Sequence, residues 1–142
     1  MRVPQKADYA LRAMVELAAH EGASLRSATI AERAGIPDKY LEAILVELGR
    51  AGLVASRRGP EGGHRLARPA REITAAAIYA AVDGPLRLAP ARVSAHPSAT
   101  DLALGDLWSG LERAASEVLE STTLEDLRRR TQDRRNVLDF SI

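Results

Sequence analysis

The sequence predicts a mainly α-helical protein that contains one small β-hairpin. Ala, Leu, Arg and Glu dominate its 142 residues, and all four are good helix formers, whereas aromatic residues make up only 4%. Apolar side chains recur at helical spacing along most of the chain, and this period breaks once, around a Gly-rich turn. So few aromatic residues also argue against a large β-sandwich.

Three short helices are predicted in the first third of the chain. In the first, from Lys6 to about His20, apolar residues recur at i, i+3, i+4 and i+7. The second begins near Ser27 or Thr29, where Thr29 and Glu32 have the spacing of a capping box, and it ends at Gly35. The third opens at Pro37, which suits a first helical turn, and closes at Gly52.

A β-hairpin follows these helices. Residues 53–58 and 64–68 form two short extended segments around the turn cluster Gly59-Pro60-Glu61-Gly62-Gly63. Three helices followed by a two-stranded hairpin describe a winged helix-turn-helix, with the hairpin as the wing. In that motif the third helix enters the DNA major groove and is led by its N-terminal residues.

The second half of the chain is predicted to be helical, apart from one loop. Thr74 caps a helix over residues 75–82, and residues 85–103 carry turn residues without a clear period. A long helix follows, and after it Thr123 caps a last helix that is expected to fray beyond Arg128. One apolar stripe on the long helix is the predicted dimerisation surface: Leu104, Leu107, Trp108, Leu111, Ala115, Val118 and Leu119.

These elements predict a DNA-binding domain over residues 1–84, a loop over 85–103, and a dimerisation helix with a C-terminal tail over 104–142. Charge is distributed accordingly. Residues 1–71 carry 12 Lys and Arg against 8 Asp and Glu, whereas residues 72–142 carry 8 against 11. A basic first half favours nucleic-acid contact in that half.

The candidate DNA contacts lie on the third helix and on the hairpin. Lys39 can contact phosphate or guanine, Glu42 can accept from a cytosine amino group, and Tyr40 can reach a phosphate with its hydroxyl. Six Arg and one acid lie between Arg50 and Arg71, and an Arg at a hairpin tip can enter a narrow minor groove. The predicted contacts are Lys39, Tyr40, Glu42, Ala43, Arg50, Arg57, Arg58, Gly59, Gly62, Gly63 and His64.

Several other classes of protein are disfavoured. The chain has no cysteine, so it has no disulfide, thiolate metal ligand or thiol nucleophile, and its three His are too scattered for a catalytic or metal triad. Gly59–Gly63 is not a phosphate-binding loop because no Lys-Ser/Thr follows it. No apolar run is long enough for a membrane span or signal peptide, so we expect a cytoplasmic protein without cofactor, metal or enzymatic activity.

The sequence resembles the Rrf2 family of bacterial transcriptional regulators over about residues 1–127. The matching stretches are KADYALRAM (6–14), IAERAGI (30–36), YLE (40–42), RAGLV (50–54), RGPEGGHRLARP (58–69), EIT (72–74), VDGP (82–85) and the helices from Leu107 to Leu127. The resemblance implies a homodimer on a partly palindromic operator. It places base contacts near Lys39, Tyr40, Glu42 and Ala43, and Arg58 in the minor groove.

Two departures from the family pattern stand out. The family usually has Tyr at the position of His64 and often Gly at that of Glu61. Many members also carry three cysteines, which ligate an iron–sulfur cluster, in the segment that matches residues 86–103, and here there are none. The chain is therefore either a cluster-free member or a form in which Ala89, Ala91, Ala95 or Ala99 replaces Cys.

Two further readings stay open. The chain could be a protein-interaction module that keeps the fold without binding DNA, as Glu61 and the near-neutral net charge suggest. It could instead respond to a small ligand held in a pocket around residues 85–103. Enrichment of a palindrome from random duplexes, and a ligand-induced thermal shift, separate these readings.

Overall fold

The computed structural model describes residues 2–88 and 94–140. Its elements, in chain order, are α1 (Gln5–Ala19), α2 (Ser27–Ala34), α3 (Asp38–Arg50), β1 (Val54–Arg57), β2 (Gly63–Leu66), a 3₁₀ turn (Ala70–Glu72), α4 (Ala75–Asp83), α5 (Ala99–Ser121) and α6 (Leu124–Phe140). The mainly helical winged helix-turn-helix with long C-terminal helices is thus confirmed.

One hydrophobic core lies between α1 and the helices that cross it. The inner face of α1 contributes Met14 and Leu17, and α3 contributes Leu41, Ile44 and Leu48, each almost fully buried. Burying one such side chain stabilises the fold by about 1.5–3 kcal/mol. Because α1 packs on α2, α3, α4 and α6, it is the element that holds the DNA-binding half and the C-terminal half together.

The turn between α2 and α3 sets the direction of α3 relative to α2. Gly35 ends α2 with a φ of 68°, a left-handed conformation that a residue without a Cβ adopts readily. Ile36 then packs into the core, and Pro37 is the N-cap of α3. Of the two predicted starts of α2, Ser27 is confirmed, whereas the capping box of Thr29 and Glu32 was wrong: the N-cap is Arg26, and no side chain caps the helix. Thr29 lies inside the first turn, where a capping box cannot form.

The hairpin has the predicted antiparallel pairing. Val54 lies opposite Leu66, and Ser56 lies opposite His64. Two hydrogen bonds, between the backbone groups of Leu25 and His64, then attach β2 to the segment before α2. The wing is therefore anchored to the segment before α2 and does not project as a free hairpin.

Helices α4 and α5 both begin at side-chain caps. Thr74 caps α4, as predicted, by accepting from Ala77 N at 3.1 Å. Ser98 and Asp101 form a capping box, so α5 begins at Ala99, inside the segment that was predicted as a loop. No described residue of α5 is buried within the chain. Among the described residues, no helix combines the length and the hydrophobicity that a membrane span needs.

The expectation that the chain frays beyond Arg128 was wrong, because α6 continues to Phe140. Thr123 and Asp126 cap its start through reciprocal backbone contacts of 3.0 and 2.9 Å. Leu124 is fully buried, and farther along Arg135 donates to Glu16 on α1. These tertiary contacts stabilise a helix whose polar composition alone gave no sign of its length.

Candidate nucleic-acid interface

The recognition helix α3 has one buried face and one exposed face. Leu41, Ile44, Leu45 and Leu48 point into the core. The predicted contact residues Lys39, Tyr40, Glu42 and Ala43 are all exposed, and Arg50 is exposed in the last turn. The face that the core leaves uncovered is therefore the one on which the sequence placed the DNA contacts.

Aromatic and basic side chains meet at the start of α3. The ring of Tyr40 lies 5.9 Å from that of Tyr9 on α1, and Lys39 Nζ lies 4.9 Å from the Tyr40 ring centroid. Gln5 Nε2 donates to the Tyr9 hydroxyl at 3.0 Å. These contacts restrict the side chains of Lys39 and Tyr40 before any partner binds, which lowers the entropic cost of ordering them in a complex.

Glycine is needed at two positions of the wing turn. A Cβ on Gly62 would lie 2.1 Å from the carbonyl oxygen of Arg57. Gly63 has a φ of 141°, and a Cβ there would lie 2.7 Å from Leu25 O. Both glycines thus let the turn fold tightly and lie directly against the segment before α2, so their role in the structure is to shape the wing.

The tip of the wing presents its arginines to solvent. Arg57, Arg58 and Gly59 are exposed, and Arg26 holds the turn from below by donating to the carbonyl oxygen of Pro60. Arg57 and Arg58 have no ion pair with any described residue. Their positive charge is therefore available to an anionic partner.

His64 lies below the tip and is half-buried, so it is not a solvated strand residue. Its Nε2 is 2.9 Å from Ser27 Oγ on α2, and its Nδ1 is 2.7 Å from Ser56 Oγ on β1. Burial lowers the pKa of His64 below its ordinary 6.5, and the nearby Glu42 carboxylate partly opposes that shift.

A groove of about 740 Å³ runs between α3 and the wing. Glu42 and Val46 line its α3 side, whereas Arg57, Arg58 and His64 line its wing side. Arg26 adds a third arginine at the base. Of the predicted helix contacts, Glu42 shares this concave, basic groove with the hairpin residues Arg57, Arg58, Gly59, Gly63 and His64. Lys39, Tyr40 and Ala43 instead line a separate pocket at the start of α3, beside Gln5 and Tyr9.

The apolar stripe of α5 lies largely in solvent. Leu104, Leu107, Trp108, Leu111 and Val118 are exposed, and Ala115 is half-buried. Leu119 differs from them because it packs against the core of its own chain. Exposed apolar residues in one stripe are typical of a surface that a protein partner covers.

The described part of the segment that matches the cluster region does not fit an iron–sulfur cluster. Thiolate is the principal ligand of such clusters, and the chain has no cysteine. Across residues 2–88 and 94–140, no three His, Asp or Glu side chains converge as metal ligands. His96 is exposed, and its backbone N–H donates to Ser94 Oγ. Ala89 and Ala91 lie outside the described residues.

The family model described as "Rrf2: Iron-dependent Transcriptional regulator" matches residues 3–130. The chain belongs to the Rrf2 family. Rrf2 proteins are DNA-binding transcriptional regulators and not enzymes. The resemblance seen in the sequence is thereby confirmed, although this Rrf2 chain lacks the thiolates that would ligate a cluster.

Individual relatives agree with this assignment. The HTH-type transcriptional regulator CymR of Bacillus subtilis is 36% identical over 145 residues and covers both chains completely. A solved structure of CymR, described as the global cysteine regulator of B. subtilis, superposes with a TM-score of 0.78 at 36% identity, covering 90% of this chain and 96% of that one. The structure of T. potens IscR gives 0.79 at 32% identity, covering 94% and 90%.

Sequence reasoning missed the residues that support the wing from the side of α2. Leu25, Arg26 and Ser27 hold the hairpin through the backbone pairing, the bond to Pro60 and the contact with His64. These contacts join residues more than thirty positions apart, and no local pattern marks them. Ser56 lies on the predicted first strand, but its position opposite His64 comes from the register of the hairpin, which the sequence did not specify.

Proposed function

We propose that this Rrf2 regulator binds a partly palindromic operator as a homodimer, with α3 in the major groove and the wing in the adjacent minor groove. The observation that carries the proposal is the shared groove, in which Glu42 on α3 faces the same space as Arg57 and Arg58 on the wing. A helix and a basic hairpin on one concave face match the major-groove and minor-groove contacts of winged helix proteins.

The contacts within each half-site differ in kind. Glu42 accepts from a cytosine amino group, and the methyl group of Ala43 contacts a thymine methyl. Lys39, Tyr40 and Arg50 neutralise or hydrogen-bond phosphates and set the register of α3. Arg57 and Arg58 supply charge at the minor groove, while Gly59, Gly62, Gly63 and His64 shape and support the turn that presents them.

The homodimer is proposed from the exposed stripe of α5. Leu107 and Trp108 each lie about one helical turn before Leu111, and all three are exposed rather than covered by the chain's own core. Packing this stripe against the same stripe of a second chain gives a two-fold interface. A two-fold protein in turn requires an operator with two related half-sites.

Selection from random duplexes, followed by sequencing, tests the proposal. We expect enrichment of a sequence with two inverted half-sites, bound by two chains per duplex. Gel-shift titration at several salt concentrations should show a steep loss of affinity as salt rises, because phosphate contacts release counterions. A library that shows no enriched inverted repeat would favour the protein-interaction module instead.

A second candidate function is a response to a small ligand, which a separate cavity favours. About 300 Å³ lie between α4 and α5, lined by Tyr79, Leu86, Arg87, Glu112 and Ser116 among others. Since α4 also packs on α3, a ligand there would act on the recognition helix through one element. Thermal shifts with a metabolite library test this candidate, and Arg87→Ala should abolish any shift found.

The absence of cysteine predicts that the regulator works without a thiolate-ligated cluster. Protein purified without oxygen should carry no stoichiometric iron and no visible charge-transfer absorbance. Iron at cluster stoichiometry would contradict this.

A further inference from the structure

His64 lies where three parts of the DNA-binding face meet. Its backbone forms two hydrogen bonds with Leu25: His64 N donates to Leu25 O at 2.7 Å, and Leu25 N donates to His64 O at 2.8 Å. Its ring is held between the hydroxyls of Ser27 and Ser56, and Glu42 lines the same groove. Through its backbone and its ring, His64 on β2 therefore connects β1, α2 and the segment before α2, at the edge of the groove that α3 also lines.

We propose that His64 positions the wing through this serine bracket and takes up a proton when the protein binds DNA. The bracket is the pair of contacts from the ring to Ser27 and Ser56. The inference rests on the proposed function, since it needs a duplex in the groove, and it adds a coupling between pH and affinity.

The bracket can exist in both protonation states of the ring. A neutral imidazole donates from one nitrogen and accepts at the other, and a serine hydroxyl can take either role. An imidazolium donates from both nitrogens, and both hydroxyls then accept. Protonation therefore leaves the wing attached and adds one positive charge to the groove.

The charges around the ring differ between the free and bound protein. In the free protein, burial lowers the pKa of His64, and Arg26, Arg57 and Arg58 line the same groove, while Glu42 favours the charged ring. The charged groups at the end of α1 are engaged elsewhere: Glu21 accepts from Ala70 N, and His20 lies 2.9 Å from Arg33.

DNA phosphates add negative potential to this groove and favour the imidazolium. The pKa of His64 is then higher in the complex than in the free protein, so affinity rises as pH falls through the pKa of the complex. The rise ends below the pKa of the free protein, which lies under 6.5. Each unit of difference between the two pKa values strengthens binding about tenfold at low pH.

The test uses the full chain and the duplex that it selects from a random library. Dissociation constants are measured between about pH 5.5 and 8, and calorimetry in two buffers of different ionisation enthalpy counts the protons taken up. His64→Ala removes the bracket and the titration, whereas His64→Gln keeps an amide that can donate and accept but cannot titrate in this range. His96→Gln, at an exposed histidine outside the groove, is the matched control.

We expect wild type and His96→Gln to bind several-fold more tightly at pH 6 than at pH 8, with net proton uptake. His64→Gln should show a flat profile and recover part of the affinity that His64→Ala loses at pH 8. An unchanged pH profile in His64→Gln, or binding without proton uptake, would overturn the proton coupling. Equal affinity of His64→Ala and wild type at pH 8 would overturn the positioning role. If no duplex binds at all, the proposed function itself fails.

Discussion

Arg135 near the end of α6 donates to the carboxylate of Glu16 on α1, with 3.2 Å between Nη2 and Oε1. Glu16 is the one charged side chain among the buried residues of the described chain, and Arg135 is half-exposed. The contact spans 119 positions of sequence and fixes α6 along the outside of the DNA-binding half. The C-terminal helix is therefore packed against α1 as part of the folded structure.

Removing Arg135 should destabilise the protein. Arg135→Ala leaves the Glu16 carboxylate in a site with little water, and we expect the free energy of unfolding to fall by about 1–2 kcal/mol, at the lower end for a buried pair because Arg135 is half-exposed. Urea unfolding measures the change. Arg134→Ala, at the exposed neighbouring residue, should stay within about 0.5 kcal/mol of wild type. Equal effects of the two variants would show that the contact with Glu16 contributes nothing.

Removing the wing arginine Arg58 should weaken DNA binding. We expect Arg58→Ala to lose about 1–3 kcal/mol of operator binding, because a cation is withdrawn from the minor groove, and to reduce the salt dependence by about one phosphate contact. Fluorescence anisotropy at several salt concentrations provides both numbers. Arg130→Ala, at an exposed arginine of α6 away from the groove, is the control. Wild-type affinity in Arg58→Ala would exclude the wing as a contact.

A charge in the α5 stripe should dissociate the dimer. Leu111→Asp or Val118→Asp places a carboxylate where an apolar surface is proposed to be covered, so sedimentation should detect monomers at concentrations where wild type is dimeric. Arg113→Asp introduces a carboxylate on the opposite, exposed side of α5 and should remain dimeric. Persistence of dimers in both stripe variants would place the interface on another surface.

Acid should loosen the start of α6. The backbone N–H and hydroxyl of Thr123 and the guanidinium of Arg129 hold the pKa of Asp126 below its usual value, and Arg128 does the same for the pKa of Glu125. A carboxyl whose folded pKa is depressed contributes stability above its unfolded pKa, about 4, and this stability is lost as pH falls through the folded pKa.

Asp126→Asn tests this assignment. The variant should be less stable than wild type at pH 7. Its thermal unfolding midpoint should also fall less than that of wild type as pH drops below about 4. Thermal unfolding followed by circular dichroism across that range measures both. Asp139→Asn, an exposed residue in the last turn of α6, should keep the acid sensitivity of wild type. Identical acid profiles for Asp126→Asn and wild type would contradict a role for the cap.

The sequence predicted well those elements that short-range chemistry specifies. The stripe of α1, the Thr74 cap and the Gly-rich turn each involve residues within one or two helical turns of each other, so their spacing alone identified them. It failed at Thr29 because a capping box is only a local preference, and Arg26 and Ser27 start α2 earlier. It also failed beyond Arg128, because the polar composition there favours fraying, whereas the contact of Arg135 with Glu16 holds the helix in place.

The sequence by itself determined the fold class, the family and the exposed face of α3, because helical periodicity and turn residues depend only on residues that are close together in the chain. Only the tertiary structure decided how the wing is held and where α6 ends. Leu25 and Ser27 meet His64, and Arg135 meets Glu16, through contacts between distant parts of the chain. Such contacts depend on how the helices pack, and packing is settled by the whole core rather than by any segment.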